Sequence, residues 1–280
     1  MASLVLTRPG WPHPLNAYTV ELARGLQAIG VELFSAPLQR FVSQPLAPAL
    51  REQWLASLKK SQSQRVWLVS SSPSAAYAFV QQTELLKDLQ KVLRDGRLVI
   101  SGIGRASMLP LIRWMEETGQ TAEICAPEAQ ALSTESSNGK LSVTSADASA
   151  YLTWVSDKSV AADAMVLLEA SQNRDDLALG LAPLCQQVVR LPIYRREALP
   201  MPVLSPRPAD PTYVLVTSSS LVEPAIEGCR QQGLSPDAVI WMAHHPAIVR
   251  ALRARLPGAD CLQIEGLEVD KIVDSIKLRL

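Results

Sequence analysis

Hydroxyl side chains gather at two places in this chain, and the same interval separates them. Val66-Trp-Leu-Val-Ser-Ser-Ser-Pro-Ser-Ala-Ala-Tyr carries Ser71, Ser72 and Ser74, and Tyr213-Val-Leu-Val-Thr-Ser-Ser-Ser-Leu-Val-Glu carries Thr217, Ser218 and Ser220. Ser71 and Thr217 are 146 positions apart (217 − 71), and so are Ser72 and Ser218 (218 − 72). In both places a continuous apolar run predicts a buried strand, the hydroxyls predict N-cap residues, and a helix follows. Such a junction exposes free backbone N–H groups and a positive helix end, which suits an anionic ligand. Two of them predict a cleft with anion-binding turns on both walls. The plainer role of these hydroxyls is to cap a helix, which they do with or without a ligand. Arg8, Arg105 and Arg174 fall in strand-to-helix turns, where a guanidinium can pair with a carboxylate or simply lie in solvent.

The remaining reactive side chains point to less. His13, His244 and His245 are the three histidines. The adjacent pair could ligate a metal, but no third ligand is written near it, so a loop or helix-start position is the expectation. Cys125, Cys185, Cys229 and Cys261 form no C-x-x-C pair and read as small buried thiols rather than disulfides or metal ligands.

Composition narrows the classes. The 280 residues suit two domains, and 48% hydrophobic with 19% charged residues is the globular range. Lys+Arg and Asp+Glu each number 27, so no global basic field argues for nucleic acid. An anion must therefore be held by local groups. Met1-Ala-Ser-Leu-Val-Leu-Thr-Arg-Pro does not read as a secretory signal, and no apolar stretch approaches membrane-spanning length. The expectation is a cytoplasmic protein that needs no membrane. Zero net charge and the absence of heptads leave monomer as the expected state.

The elements that must position these residues alternate. Ser3 to Thr7 reads as a strand and Arg8-Pro-Gly-Trp-Pro-His-Pro as a turn. Leu15, Tyr18, Leu22, Leu26 and Ile29 mark one face of a helix closed by Gly30. A strand from Val31, a helix near Ala49 to Lys60 and the strand at Val66 follow. One long helix is expected from about Ser74 to Arg94, then a strand at Arg97 to Ser101. Gly102-Ile-Gly-Arg-Ala-Ser is expected as a turn, a helix from Met108 to Glu117 ends at Gly119, and Ala122 to Ala126 is a short strand. Glu128 to Ser149 reads as a surface excursion rich in Ser, Thr, Asn and Gly. A helix near Ala150 to Val155, strands at Ala164 and Gln187, and a helix from Asp175 to Leu184 come next. Five prolines between Pro200 and Pro211 mark a connector. Beyond it lie the strand at Tyr213, a helix near Val222 to Gln231, a strand at Ala238 to Met242, the turn at His244, a helix from Ala247, a strand at Cys261 and a last helix from Val269. This rhythm predicts parallel sheets covered on both faces. The opening βαβ unit has too little sheet to stand alone, so it is expected to join the closing segment. The expected domains are 1–37 with 197–280, and an inserted 38–196. The two segments that cross between them are expected to pair as a ladder.

The succession of motifs resembles uroporphyrinogen-III synthase over essentially the whole chain. Leu6-Thr-Arg-Pro, the later Gly-Val-Glu-Leu-Phe-Ser-Ala-Pro-Leu and both hydroxyl turns are similar to that family's. Ile103-Gly-Arg-Ala-Ser resembles its Ile-Gly-x-x-Thr turn, Asn173-Arg-Asp-Asp-Leu its Gly-Gly-Arg-x-x-Leu turn, and Leu191-Pro-Ile-Tyr-Arg-Arg its Val-Tyr-Arg. The resemblance implies an α/β protein of two flavodoxin-like parallel-sheet domains, each three-layered αβα, joined by a two-stranded β-ladder, the second domain inserted in the first. It also implies cofactor-free dehydrative cyclisation of a linear tetrapyrrole polycarboxylate, hydroxymethylbilane, with inversion of the terminal ring. Tyr194 is then the catalytic candidate, a proton donor as hydroxide leaves, although a tyrosine packing at the domain joint fits the residue equally well. The implied substrate contacts are Arg8, Ser71, Ser72, Ser74, Gly104, Arg105, Ser107, Arg174, Thr217, Ser218, Ser220 and His245. Two departures stand out: His244-His-Pro-Ala-Ile replaces Ile-Gly-Pro-Thr-Thr, and the first glycine of the Gly-Gly-Arg turn is missing. Either His245 supplies the lost hydrogen bonds or that turn binds through backbone alone. Two other readings remain, a non-catalytic anion-binding paralogue and a sugar-nucleotide transferase. The second has no Gly-rich phosphate loop or acidic metal motif behind it.

Overall fold

The computed structural model describes residues 2–8, 14–60, 65–94, 96–127, 148–158, 160–161, 163–172, 175–205 and 211–280. The chain divides into two compact units. One is discontinuous, Met1–Phe41 with Glu197–Leu280, and the other is the inserted Val42–Arg196.

In the discontinuous unit, β1 (Ala2–Leu6), α1 (Pro14–Gln27) and β2 (Val31–Ser35) form the opening βαβ. The closing segment adds β9 (Thr212–Leu215), α8 (Val222–Gln231), β10 (Ile240–Ala243), α9 (Pro246–Arg255), β11 (Cys261–Gln263) and α10 (Val269–Lys277). The sheet order is β11-β10-β9-β1-β2, and its pairings are parallel. Alternation along each strand sends side chains to opposite faces. Leu4, Leu6, Tyr213 and Leu215 pack with Leu22 and Leu26 of α1 and Ile272 and Ile276 of α10. Val5, Val214 and Val216 pack with Ile226 of α8 and Leu252 of α9 on the other face. Gly30, at φ 74, takes the left-handed position that closes α1.

The inserted unit contains α2 (Pro48–Lys60), β4 (Val66–Ser70), α3 (Pro73–Val80), α4 (Thr83–Arg94), β5 (Leu98–Gly102), α5 (Arg105–Thr118), β6 (Glu123–Cys125), α6 (Ala148–Ser156), β7 (Ala164–Ala170), α7 (Asp176–Leu181) and β8 (Gln187–Ala198). With β3 (Gln39–Ser43) at one edge, the sheet order is β3-β8-β7-β4-β5-β6. The ladder between β3 and β8 is antiparallel. Leu199 N donates to the Leu38 carbonyl and Gln44 N to the Ile193 carbonyl, both at 2.8 Å, so the partners run in opposite directions. Trp67, Val69 and Leu167 pack with Tyr151 and Val155 of α6 and Leu181 of α7. Trp54 meets Phe79 edge-on at 6.2 Å across the other layer.

Numbering each unit from its hydroxyl-bearing strand relates the two sheets. β4, β5, β6, β7 and β8 stand in the order 3-2-1-4-5, and so do β9, β10, β11, β1 and β2. The repeat seen in sequence is therefore one sheet built twice, with the chain ends falling at different points in the cycle. β4 and β9, which carry the two turns, are the central strands.

Several elements differ from the sequence reading. The long helix expected from Ser74 to Arg94 is two, α3 and α4. Gln82 lies between them, and its side-chain Nε2 donates to the carbonyls of Gln44 (3.1 Å) and Ile193 (3.3 Å). α5 begins at Arg105 rather than Met108 because Gly104 adopts the extended N-cap conformation and Ser107 N already bonds back to the Gly104 carbonyl at 3.0 Å. The segment 128–147, Asn173, Arg174 and His13 lie outside the described residues.

Candidate functional site: two hydroxyl-capped sheet edges

In the inserted unit the site is built where β4 ends. Ser70 is buried and turns its Oγ onto the Ser72 carbonyl at 2.9 Å, which tightens the turn. Ser71 N is held by the Leu168 carbonyl at 3.1 Å, while Ser71 Oγ is buried and has no hydrogen-bond partner. Ser72 is the N-cap of α3. Its backbone is extended, its Oγ accepts from Ala75 N at 3.2 Å, and Pro73 fills the first helical position. The same Oγ lies 3.2 Å from the Tyr194 hydroxyl. Ser74 follows, half-buried in the first turn.

Tyr194 reaches this cap because of a bulge. Pro192 pairs with Glu169 but Tyr194 pairs with Ala170, so Ile193 is an extra residue that re-aims the strand. Ser171 N then donates to the Tyr194 carbonyl at 2.8 Å. The tyrosine is 1% exposed, so its hydroxyl meets the cap serine rather than an open surface. The structure thus joins the catalytic candidate to one hydroxyl turn by a phenol–serine hydrogen bond.

The turn after β5 sits beside this one. Ile103 N donates to the Ser70 carbonyl at 3.3 Å, linking the two. Gly104 caps α5 by backbone alone, Ser107 is buried in its first turn, and Arg105 is exposed at the helix start. Sequence reasoning missed an ionic group at the same sheet edge. Glu169, 2% exposed at the end of β7, pairs with Arg190, which also reaches Asp175. No short-range pattern announces that contact, because it depends on the pairing of β7 with β8, which sets Leu167 opposite Arg190 and Glu169 opposite Pro192.

In the discontinuous unit the corresponding turn follows β9. Ser218 is again an extended N-cap, but it caps a single 3-10 turn, Ser219–Leu221, before α8 begins. Its Oγ accepts from Ser220 N at 3.4 Å and lies 2.9 Å from the Ser220 hydroxyl. Thr217 is half-buried just before it. One strand over, His245 is the N-cap of α9, its Nδ1 accepting from Ala247 N at 3.1 Å, with Pro246 at the first helical position. His245 therefore does make a hydrogen bond of the kind a hydroxyl makes. Arg8 follows β1 and lies 5.0 Å from the Tyr18 ring centroid. Sequence reasoning weighed His244 as a metal ligand and preferred a loop or helix-start position; its Nδ1 is buried with no hydrogen-bond partner.

The cysteines are unpaired; Cys185 and Cys229 are buried and Cys125 and Cys261 half-buried. Burial pushes the Cys229 thiol up to about 12, and burial with the neighbouring Glu123 pushes Cys125 up to about 11, so neither is a ready nucleophile. Among the described residues no three His, Cys, Asp or Glu side chains converge as a metal site, and no helix is long and apolar enough to cross a membrane.

The fold and these edges define a class: two doubly wound α/β units, one inserted in the other, each with an N-capping hydroxyl at the end of its central strand. Uroporphyrinogen III synthases are among the solved structures to which the chain is similar along its whole length. A mutant of the enzyme from the extreme thermophile Thermus thermophilus is similar at TM-score 0.55 and 14% identity, with 100% of this chain and 99% of that chain covered. The Helicobacter pylori synthetase is similar at TM-score 0.44 and 11% identity, covering 100% and 98%. No protein-family model and no curated protein matches the chain.

Proposed function

We propose that this protein is a uroporphyrinogen-III synthase. In this reading it closes hydroxymethylbilane to uroporphyrinogen III with loss of water and inversion of the last pyrrole ring. The observation that carries the reading is the pair of N-capping hydroxyls, Ser72 and Ser218, at the ends of the two central strands of a fold shared along the whole chain with the Thermus thermophilus enzyme. A helix start with free N–H groups and a hydroxyl binds carboxylates without needing net charge. Each unit offers such an edge, and a flexible polycarboxylate has groups for both.

Chemically, the hydroxymethyl C–O bond breaks and the leaving oxygen takes a proton to depart as water. In this reading Tyr194 supplies that proton, relayed through its hydrogen bond to Ser72. The resulting electrophilic azafulvene is attacked by the substituted carbon of the terminal ring; fragmentation of the spiro product and reclosure invert the ring. Free substrate closes spontaneously without inversion, so the protein's main task is to hold one conformer. Purified protein given fresh hydroxymethylbilane is expected to yield mainly the type III isomer. Type I product at the spontaneous rate would refute the assignment. The burial of Tyr194 favours one second reading, a non-catalytic binder of the same anions. That reading predicts thermal stabilisation by the polycarboxylate with no change in isomer ratio.

A further inference from the structure

α3 is fastened to β8 at both of its ends. At the start, the Oγ of its N-cap Ser72 lies 3.2 Å from the Tyr194 hydroxyl. At the far end, Gln82 Nε2 donates to the Ile193 carbonyl at 3.3 Å and to the Gln44 carbonyl at 3.1 Å. Ile193 and Tyr194 are consecutive, and Ile193 is the extra residue of the bulge that aims Tyr194 at the cap. Ile193 is fully buried, and its carbonyl takes a second donor, Gln44 N, at 2.8 Å. The main chain of Gln82 is committed as well. Its N–H donates to the Phe79 carbonyl at 2.9 Å and its carbonyl accepts from Leu86 N at 3.1 Å, so the residue is held at the joint of α3 and α4 while its side chain reaches the strand. An eight-residue helix is about 12 Å long, so attachments at its two ends fix its position along its own axis. The residue type matters too. Two carbonyl oxygens call for a group with two N–H donors, which a glutamine amide has and an ionised glutamate of the same shape lacks.

We infer that Gln82 is a positioning residue for the proposed reaction: by clamping the end of α3 to the bulged strand, it holds the Tyr194 hydroxyl within reach of Ser72. The inference deepens the function proposed above and rests on it for the role of Tyr194 as proton donor. Gln82 acts through Tyr194 and Ser72. A small slip is enough to undo the arrangement. The separation of 3.2 Å is already at the long end for two hydroxyls, and about 1 Å more would break the contact. A misplacement of that size can cost about a hundredfold in rate.

Two variants test it. Gln82→Met keeps the length of the side chain and removes both donors, and Gln82→Ala removes the side chain. Gln232→Met is the control, since it deletes an amide that accepts from Leu204 N at 3.0 Å in the discontinuous unit. Thermal melts establish that each variant is folded at the working temperature. The chain has five tyrosines, and the isotope-labelled Cζ resonance of Tyr194, assigned with Tyr194→Phe, reports on its hydroxyl in the protein without substrate. The expected result is a Tyr194 resonance displaced in both Gln82 variants and unmoved in Gln232→Met. Turnover of hydroxymethylbilane is expected to fall about tenfold or more in the Gln82 variants, with KM changed less. A purely structural role would lower the melting temperature and leave both readouts in place. A Tyr194 resonance unmoved in a folded Gln82 variant, or moved equally in the control, overturns the inference, and so does unchanged turnover. The enzyme assignment fails separately: wild-type protein that gives only type I product removes the activity, and the Tyr194 resonance still decides whether Gln82 positions that side chain.

Discussion

Ser72 and Ser218 occupy the same place in two copies of one sheet, yet they hold different structures. Ser72 caps an eight-residue helix, has a proline behind it and touches a buried tyrosine. Ser218 caps one 3-10 turn, and its side chain bonds that of Ser220. The neighbouring strands differ in the same direction. β5 ends in Gly102, where a Cβ would meet Met108 Cγ at 2.9 Å and the Ser70 carbonyl and Ser107 Cβ at 3.1 Å, whereas β10 ends in Ala243, which already carries one. One edge is tightly built around a phenol. The other is looser, its two serine hydroxyls bonding each other. The duplicated framework supplies a hydroxyl-capped strand end twice, and the buried phenol lies at the end that carries the bulge.

The comparison can be broken most severely at Tyr194. In the proposed mechanism Tyr194→Phe removes the proton source and keeps the ring, so turnover is expected to fall about a hundredfold, the low end for a positioned acid, with substrate affinity little changed. Steady-state kinetics check it, and unchanged turnover removes the residue from the mechanism. Gly102→Ala is expected to cost about 1–3 kcal/mol in urea denaturation, since one of the atoms it would strike is backbone. Ser72→Ala should cost about 1 kcal/mol as a lost N-cap, and Ser218→Ala only a few tenths, because the short turn it caps has less to lose. Equal losses at the two serines would erase the asymmetry. The smallest effect is a pH dependence of stability. With its folded pKa below the unfolded value, His244 binds its proton more readily in the unfolded chain. Its contribution is thus complete above about pH 6.5 and declines as the pH falls toward the folded value. Thermal melts of wild type and His244→Gln should converge at alkaline pH and separate below that point.

What sequence revealed and concealed divides along physical lines. Both N-caps were legible because capping is local: a hydroxyl at the end of an apolar run announces itself whatever lies around it. Gly30 and Gly119 were legible for the same reason, each taking a left-handed φ at a helix end. The break at Gln82 was not, since it depends on carbonyls of Gln44 and Ile193 that only the folded sheet brings near. The start of α5 at Arg105 was hidden because a glycine N-cap uses no side chain. Tyr194 was identified by resemblance, but its bond to Ser72 and the pairing of Glu169 with Arg190 follow from how β8 pairs with β7, which no local spacing rule encodes. The unpartnered nitrogen of His244 was hidden because it is a property of its surroundings rather than of the residue.

The most direct test of the central claim is the isomer composition of product formed from fresh hydroxymethylbilane by the wild-type protein, measured against a protein-free control. The account predicts that type III predominates with the protein and type I without it. Identical, type I-rich mixtures in both would contradict the claim that these two capped sheet edges direct a ring closure.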